Sequence, residues 1–372
     1  MRVKLSDITH YSKGSQINRE DLIDTGEYIY LNGGINPSGR WTASNVDANT
    51  ITISEGGNSS GYINYITEPF WCGAHCYYLF DGPKNTKYLY YALKSQQERL
   101  FAIRSGACMP NIKKADLGKF EFEFDYDEKK QDEVVSVLSS TENIINNRKK
   151  ELEKLDELIR ARFVEMFGDP DTEWPLVTIA EICSNTRTGP FGSSLHHDEF
   201  VDEGVFVLGI DNAVENKFSY NRMRYVTEEK YQQLKRYTVY PGDVIITIMG
   251  TVGRAAVIPE DMPKAINTKH LACLSPNFNV VDSYFLCNAF QIHPEIKRQL
   301  QEQTKGAIMA GLNLTVIRGL KFKLPPLERQ KQFVEFYKQV NKSKFQKYNA
   351  TILSHNIYIY SKPEGGSYAN QL

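Results

Sequence analysis

The sequence contains no run of about 18 consecutive apolar residues, which excludes a conventional membrane-spanning helix. Residues 1–11 are polar and charged, unlike a signal peptide. Net charge is almost absent: 44 Lys and Arg stand against 45 Asp and Glu, a balance of −1. That excludes a protein coated in basic charge, so any contact with a polyanion must use local patches or charge supplied by other subunits. Cysteine is sparse, six residues scattered along the chain, with no disulfide framework. Reduced thiols in a cytoplasm are the expectation. Cys72, His75 and Cys76 lack a second ligand pair at zinc spacing. They read as part of one buried strand over residues 71–80, and no metal is expected. Catalytic motifs are missing too. There is no Asn/Asp-Pro-Pro-Tyr/Phe loop of the kind that holds a flipped adenine, and no Gly-x-x-x-x-Gly-Lys-Ser/Thr phosphate loop. His196, His197 and His293 have no partners at ligand spacing, and no carboxylate pair stands out.

What is present is a repeat. A chain of 372 residues exceeds one ordinary hydrophobic core, so two domains are expected. Gly106, Ala107, Met109, Phe122, Glu128 and Val134 recur as Gly306, Ala307, Met309, Phe322, Glu328 and Val334, with Ile112 and Phe120 matched by Leu312 and Leu320. The order of elements repeats as well. Each half opens with a short amphipathic stretch (3–11 and 177–183) and continues through strand-like runs such as 50–54, 76–80, 244–248 and 271–274. Gly-rich turns interrupt these runs: Asn32-Gly33-Gly34 and residues 55–61 in one half, residues 189–193 and 250–253 in the other. A helical stretch follows (88–103 and 284–301), then a final strand (119–124 and 320–324), then a long helix.

The first long helix, residues 128–167, contains no Pro or Gly. Leu138, Ile145, Leu152, Ile159 and Met166 recur at heptad spacing and form a coiled-coil type seam. Gly168 is placed to cap its end in a left-handed conformation, and Pro170 blocks continuation. At about 1.5 Å per residue such a rod cannot be buried by one small domain, so it requires a partner helix. The second helix begins after Pro325-Pro326, with Phe333, Tyr337 and Val340 at helical spacing, and its pattern fades after His355. The two helices are expected to pack antiparallel.

The plan of domain, helix, domain, helix resembles the specificity subunits of type I restriction-modification systems. The segment Arg162-Phe163-Val164-Glu165-Met166-Phe167-Gly168-Asp169-Pro170 resembles the end of that family's central helix. Leu324-Pro325-Pro326-Leu327-Glu328-Arg329-Gln330 resembles the family's Pro-Pro-Leu-x-x-Gln start of the distal helix, and Gly250-Thr251-Val252-Gly253 its Gly-Thr-x-Gly turn. Thr188-Gly189-Pro190 lies where the family has a Gly-x-Thr-Pro turn. The first half departs from the pattern, with Asp125-Tyr126-Asp127 where Pro-Pro-Leu is usual. The resemblance implies an α+β fold with a pseudo-two-fold internal repeat: two β-rich α/β target recognition domains (1–127 and 169–327) separated by two long antiparallel coiled-coil-like helices (128–168 and 328–356), and an atypical tail (357–372). It implies a non-catalytic chain that reads a bipartite, asymmetric site in double-stranded DNA for two modification subunits and the restriction subunits. S-adenosylmethionine, ATP and Mg then belong to the partners, and this chain binds none of them. A self-contained methyltransferase or nuclease, and a truncated or silent specificity cassette, are the alternatives.

If DNA is read, donors and acceptors on groove-entering loops must do it. The candidates are Arg40, Trp41, Ser54, Asn58, Ser59 and His75 in the first half, and Arg187, Thr188, Ser193, Thr251, Arg254, Lys269 and His270 in the second. His75 and His270 occupy similar points of the repeat. Local basic excesses at residues 84–119, which include Lys113 and Lys114, and at 297–323, which include Lys305, suit phosphate contacts.

Overall fold

Each half of the chain is closed by pairing its first strand with its last. In the computed structural model, β1 (Arg2–Lys4) lies antiparallel to a strand more than a hundred residues away, with Val3 opposite Phe122. The structure describes residues 1–106, 108–191, 194–304 and 312–360, with the side chains of 303–304 and 347–360 left undescribed. Two units are distinct: Met1–Arg148 with the distal-helix residues from 349 on, and Lys149–Tyr348.

In the first unit β1 is followed by α1 (Leu5–Ile8), β2 (His10–Lys13), β3 (Tyr28–Leu31), β4 (Gly39–Trp41), β5 (Thr50–Ser54), β6 (Ile63–Ile66), β7 (Phe70–Cys72) and β8 (Cys76–Phe80). Helices α2 (Thr86–Lys94), α3 (Gln97–Ala102) and α4 (Lys114–Gly118) lead to β9 (Glu121–Glu123) and α5 (Glu128–Phe167). The strands form a sheet of order β2-β8-β5-β6 and a smaller one of order β4-β3-β7, alongside the β1-β9 pair. Ile51, Ile53, Tyr77, Leu89, Leu93, Phe122 and Phe124 build the main core. The expected single strand over 71–80 is two strands in different sheets. Cys72 and Cys76, both buried, flank the turn Gly73-Ala74-His75 that carries the chain from one sheet to the other.

The second unit repeats this order with one added helix and strand: β10 (Leu176–Thr178), α6 (Ile179–Ile182), β11 (Cys183–Thr188), β12 (Val205–Leu208), β13 (Tyr225–Val226), α7 (Glu228–Leu234), β14 (Thr238–Val239), β15 (Val244–Thr247), β16 (Ala255–Val257), β17 (Ala265–Asn267) and β18 (Leu271–Pro276), the additions being α7 and β14. Then come α8 (Ser283–Ile292), α9 (Pro294–Thr304), α10 (Leu314–Gly319), β19 (Lys321–Lys323) and α11 (Leu327–Tyr360). Its sheets are β11-β18-β15-β16, β13-β12-β17-β14 and β10-β19. The register repeats in detail. Val177 faces Phe322 as Val3 faces Phe122. Leu5 N–H donates to Phe120 O at 2.9 Å, and Ile179 N–H donates to Leu320 O at 3.1 Å. Among the described residues parallel pairing occurs once in each unit, between β3 and β7 and between β12 and β17.

A buried glutamine starts each long helix. Gln330 donates to Pro325 O (2.8 Å) and Val280 O (3.1 Å) and accepts from Asp282 N–H (2.9 Å). Gln131 donates to Asp125 O (2.6 Å), so the first half keeps this joint although its Pro-Pro-Leu is gone. Within the second unit the later part of α5 and the early part of α11 run antiparallel. Asp156 pairs with Lys344, and Phe163 meets Phe333 edge-on at 5.1 Å. Phe163 also stacks on Phe285, and Tyr337 lies against Tyr284. Leu138, Ile159 and Val340 are buried, whereas Ile145 and Leu152 are only half-buried. Gly168 does not take the expected left-handed conformation. Its N–H closes the last turn onto Val164 O at 2.7 Å. α11 continues past the fading of the sequence pattern, to Tyr360. Among the described residues no helix is long and apolar enough to cross a membrane.

Candidate functional site

In each unit the Gly-rich sequence forms the hairpin loop between two core strands. In the first unit Ser54 N–H donates to Tyr62 O (2.9 Å) and Gly61 N–H to Ser54 O (2.8 Å), closing the β5–β6 loop. Gly57 and Gly61 have φ of +73° and +81°, a region that side chains disfavour. In the second unit Thr247 N–H donates to Arg254 O (2.9 Å) and Gly253 N–H to Thr247 O (2.8 Å), closing the β15–β16 loop with Gly253 at φ +80°. The bonding makes Gly61 equivalent to Gly253 and Tyr62 equivalent to Arg254.

The same frame reaches further. Glu55 N–H donates to His75 O and Ile248 N–H to His270 O, both at 2.9 Å. Ile112 N–H donates to Glu55 O (2.8 Å), and Leu312 N–H to Ile248 O (3.1 Å). Hence the two histidines sit at the same place in each unit, beside the hairpin loop and the matched residues Ile112 and Leu312. Core hydroxyls brace the loops from below. Ser54 Oγ and Ser59 Oγ both donate to Gly33 O, and Thr247 Oγ1 donates to Thr251 O while accepting from Arg254 N–H at 3.0 Å.

The structure sorts the candidate readers. Asn58, His75, Lys113, Lys114, Thr251, Arg254 and Lys269 are exposed on or beside the loops. Ser59, Thr188 and His270 are half-buried. Arg40 is exposed, but its guanidinium donates to Gly26 O (2.5 Å) and Glu27 O (2.6 Å), and Trp41 packs edge-on against Trp71 at 6.4 Å. Ser193 and Lys305 lie outside the described residues. Two candidates are corrected. Ser54 is 2% exposed, with its hydroxyl committed to the loop brace. Arg187 is half-buried in an ion pair with the buried Asp243 (3.0 Å) and donates to Thr238 O and Ser275 Oγ. A strand arginine so committed orders the domain interior.

The basic excess divides in the same way. Lys94 donates to Ile63 O (2.8 Å), and Arg104 to Ser60 O (2.7 Å), so both tie α2 and α3 to the first hairpin. In the second unit a cavity of about 750 Å³ opens beside the β15–β16 loop and is lined by Arg160, Lys217, Arg254 and Lys297, with Asp156 and Glu215 opposing them. Burial, with help from Lys269 and Arg224, lowers the pKa of His270 and favours its neutral ring. Two residues escaped the sequence reading. Glu55 bonds through one carboxylate oxygen to Lys13 and through the other to His75 Nδ1 at 3.3 Å. The three residues come from separate strands and turns, and no local pattern announces them.

A family model for the type I restriction modification DNA specificity domain matches residues 1–155 and 172–353. A putative type I specificity subunit of Mycoplasma genitalium is 31% identical over 219 residues, covering 54% of this chain and 56% of that protein. One from Mycoplasma pneumoniae matches at 31% over 214 residues with the same coverage. The chain thus spans about half the length of these relatives. The crystal structure of a type I restriction-modification S subunit from M. genitalium superimposes with a TM-score of 0.65 at 21% identity, covering 98% of this chain and 96% of that one, a likeness of fold.

Proposed function

The chain belongs to the type I restriction-modification DNA specificity domain family, and from that premise we propose that it reads a split, asymmetric site in double-stranded DNA, one half-site per unit. The observation that carries this reading is the repeated frame: the same Gly-rich hairpin, the same histidine position and the same supporting bonds, dressed with different side chains in each unit. Two readers with a common scaffold and different exposed groups suit two different sets of base edges. Asn58, Ser59, His75, Thr188, Thr251, Arg254, Lys269 and His270 are the proposed readers, and Lys113 and Lys114 the phosphate contacts. The chain itself performs no chemistry in this reading. Two modification subunits holding S-adenosylmethionine methylate adenine, and restriction subunits using ATP and Mg cut.

Exchange of residues 1–127 for the equivalent part of a related subunit tests the reading. Methylome sequencing is expected to show one half of a split adenine-methylated motif replaced and the other half kept. Replacement of both halves, or a methylome that does not respond to the gene at all, would contradict it.

A further inference from the structure

The two hairpin loops share a backbone frame and differ at the slot that opens them. Glu55 and Ile248 fill this slot, each donating its N–H to the carbonyl of the neighbouring histidine. In the first unit the slot carries a carboxylate, with Lys13 on Oε1 and His75 Nδ1 3.3 Å from Oε2. In the second it carries Ile248, 5% exposed, whose side chain can make no hydrogen bond; no carboxylate among the described residues bonds to the His270 ring. An ionised carboxylate can only accept, so His75 must donate through Nδ1. In the neutral ring that leaves Nε2 with a lone pair, an acceptor. The His75 backbone is pinned on both sides, by Asn32 Oδ1 on its N–H (3.2 Å) and by Glu55 N–H on its carbonyl, while its side chain is 63% exposed.

We propose that Glu55 is a positioning residue that fixes the tautomer of His75, so that Nε2 selects an amino-bearing base, adenine or cytosine, at one position of the first half-site. The inference rests on the DNA-reading function above. In the major groove adenine N6 and cytosine N4 donate, whereas guanine O6 and thymine O4 accept. A locked acceptor therefore separates the four bases into two pairs. Ile248 provides no such lock, so one frame yields two different readers.

Glu55→Gln is the decisive variant because it keeps size and shape. Lys13 can only donate, so it retains the amide oxygen and turns the NH2 group toward His75 Nδ1. That group must donate, the ring proton moves to Nε2, and the acceptor becomes a donor. Wild-type chain, E55Q and H75A, each full length and assembled with the modification subunit, would select from randomised duplexes at about pH 8, above the ordinary imidazole range. Wild type is expected to take adenine or cytosine at the position in question. E55Q is expected to move by about tenfold toward guanine or thymine there, and H75A to accept all four bases. The second half-site stays unchanged in all three and reports intact assembly. Identical first half-sites for E55Q and wild type, or for H75A and wild type, would overturn the inference. A wild-type complex that selects no split site would instead overturn the DNA-reading function.

Discussion

At the scale of single residues, the histidine that matters for stability is outside the loops. His293 ends α8, 6% exposed, against Phe163 and Phe322, and its Nε2 has no hydrogen-bond partner among the described residues. Burial pushes its pKa down to about 4, against a smaller opposing pull from Glu295. The unfolded chain therefore takes up a proton between about pH 6.5 and 4 that the folded chain refuses, so stability is full above this window and falls as pH drops through it. The loss should approach about 3 kcal/mol by pH 4. Thermal unfolding of wild type and His293→Gln across this range checks it: the variant should lose this part of the pH dependence, and equal slopes would refute the assignment. The residue scale is also where the sequence misleads. Glycines at 57, 61, 250 and 253 mark the loops correctly because positive φ leaves a compositional trace. Polar side chains leave none to separate reader from brace. Ser54 and Arg187 look like readers, yet their partners Gly33 and Asp243 lie 21 and 56 residues away.

At the scale of elements, the first long helix was legible because a heptad repeat is local information, and the second because its apolar residues after Pro325-Pro326 keep helical spacing. Which residues anchor them was not. The spacing gives Leu138, Ile145, Leu152 and Ile159 equal weight, but Ile145 and Leu152 are half-buried. A fully buried contact of α5 in the second unit is aromatic: Phe163 is fully buried against Phe167, Phe285 and Phe333. Phe163→Ala should cost about 3–5 kcal/mol through lost burial and the cavity left behind. Leu152→Asp should cost clearly less, because water already reaches that side chain. Urea midpoints of the two variants check the order, and a reversed order would return the seam to the heptad residues. The glutamine joints at Gln131 and Gln330 have the opposite history. In the first the sequence keeps only the Glu and Gln of the pattern, and the bond of Gln131 to Asp125 O shows what the retained glutamine does.

At the scale of the whole molecule, the repeat read from a handful of identities extends to strand order, register and loop bonding, because Phe122 and Phe322 hold the same place in their sheets. The uninterrupted α5 suggests a test of spacing. Four residues inserted after Arg148 add about one turn and 6 Å while nearly keeping the helix face. With about 3.4 Å per base pair, the methylated motif should gain one or two base pairs between its halves and keep its bases, as read by methylation of a library with randomised spacers. An active variant that keeps the original spacer would show that this helix does not set the gap. The pairing of first with last strand has a further consequence, in time rather than space. β1 cannot pair until β9 exists, and Lys4 must wait for Glu121, 117 residues later. During synthesis the leading strand β1 thus stays unpaired while most of the first unit's sequence leaves the ribosome. Closing so long a loop is slow. The closing pair of its β-rich core therefore comes last, after the other strands and before α5 in sequence, and the second unit repeats the same order before α11.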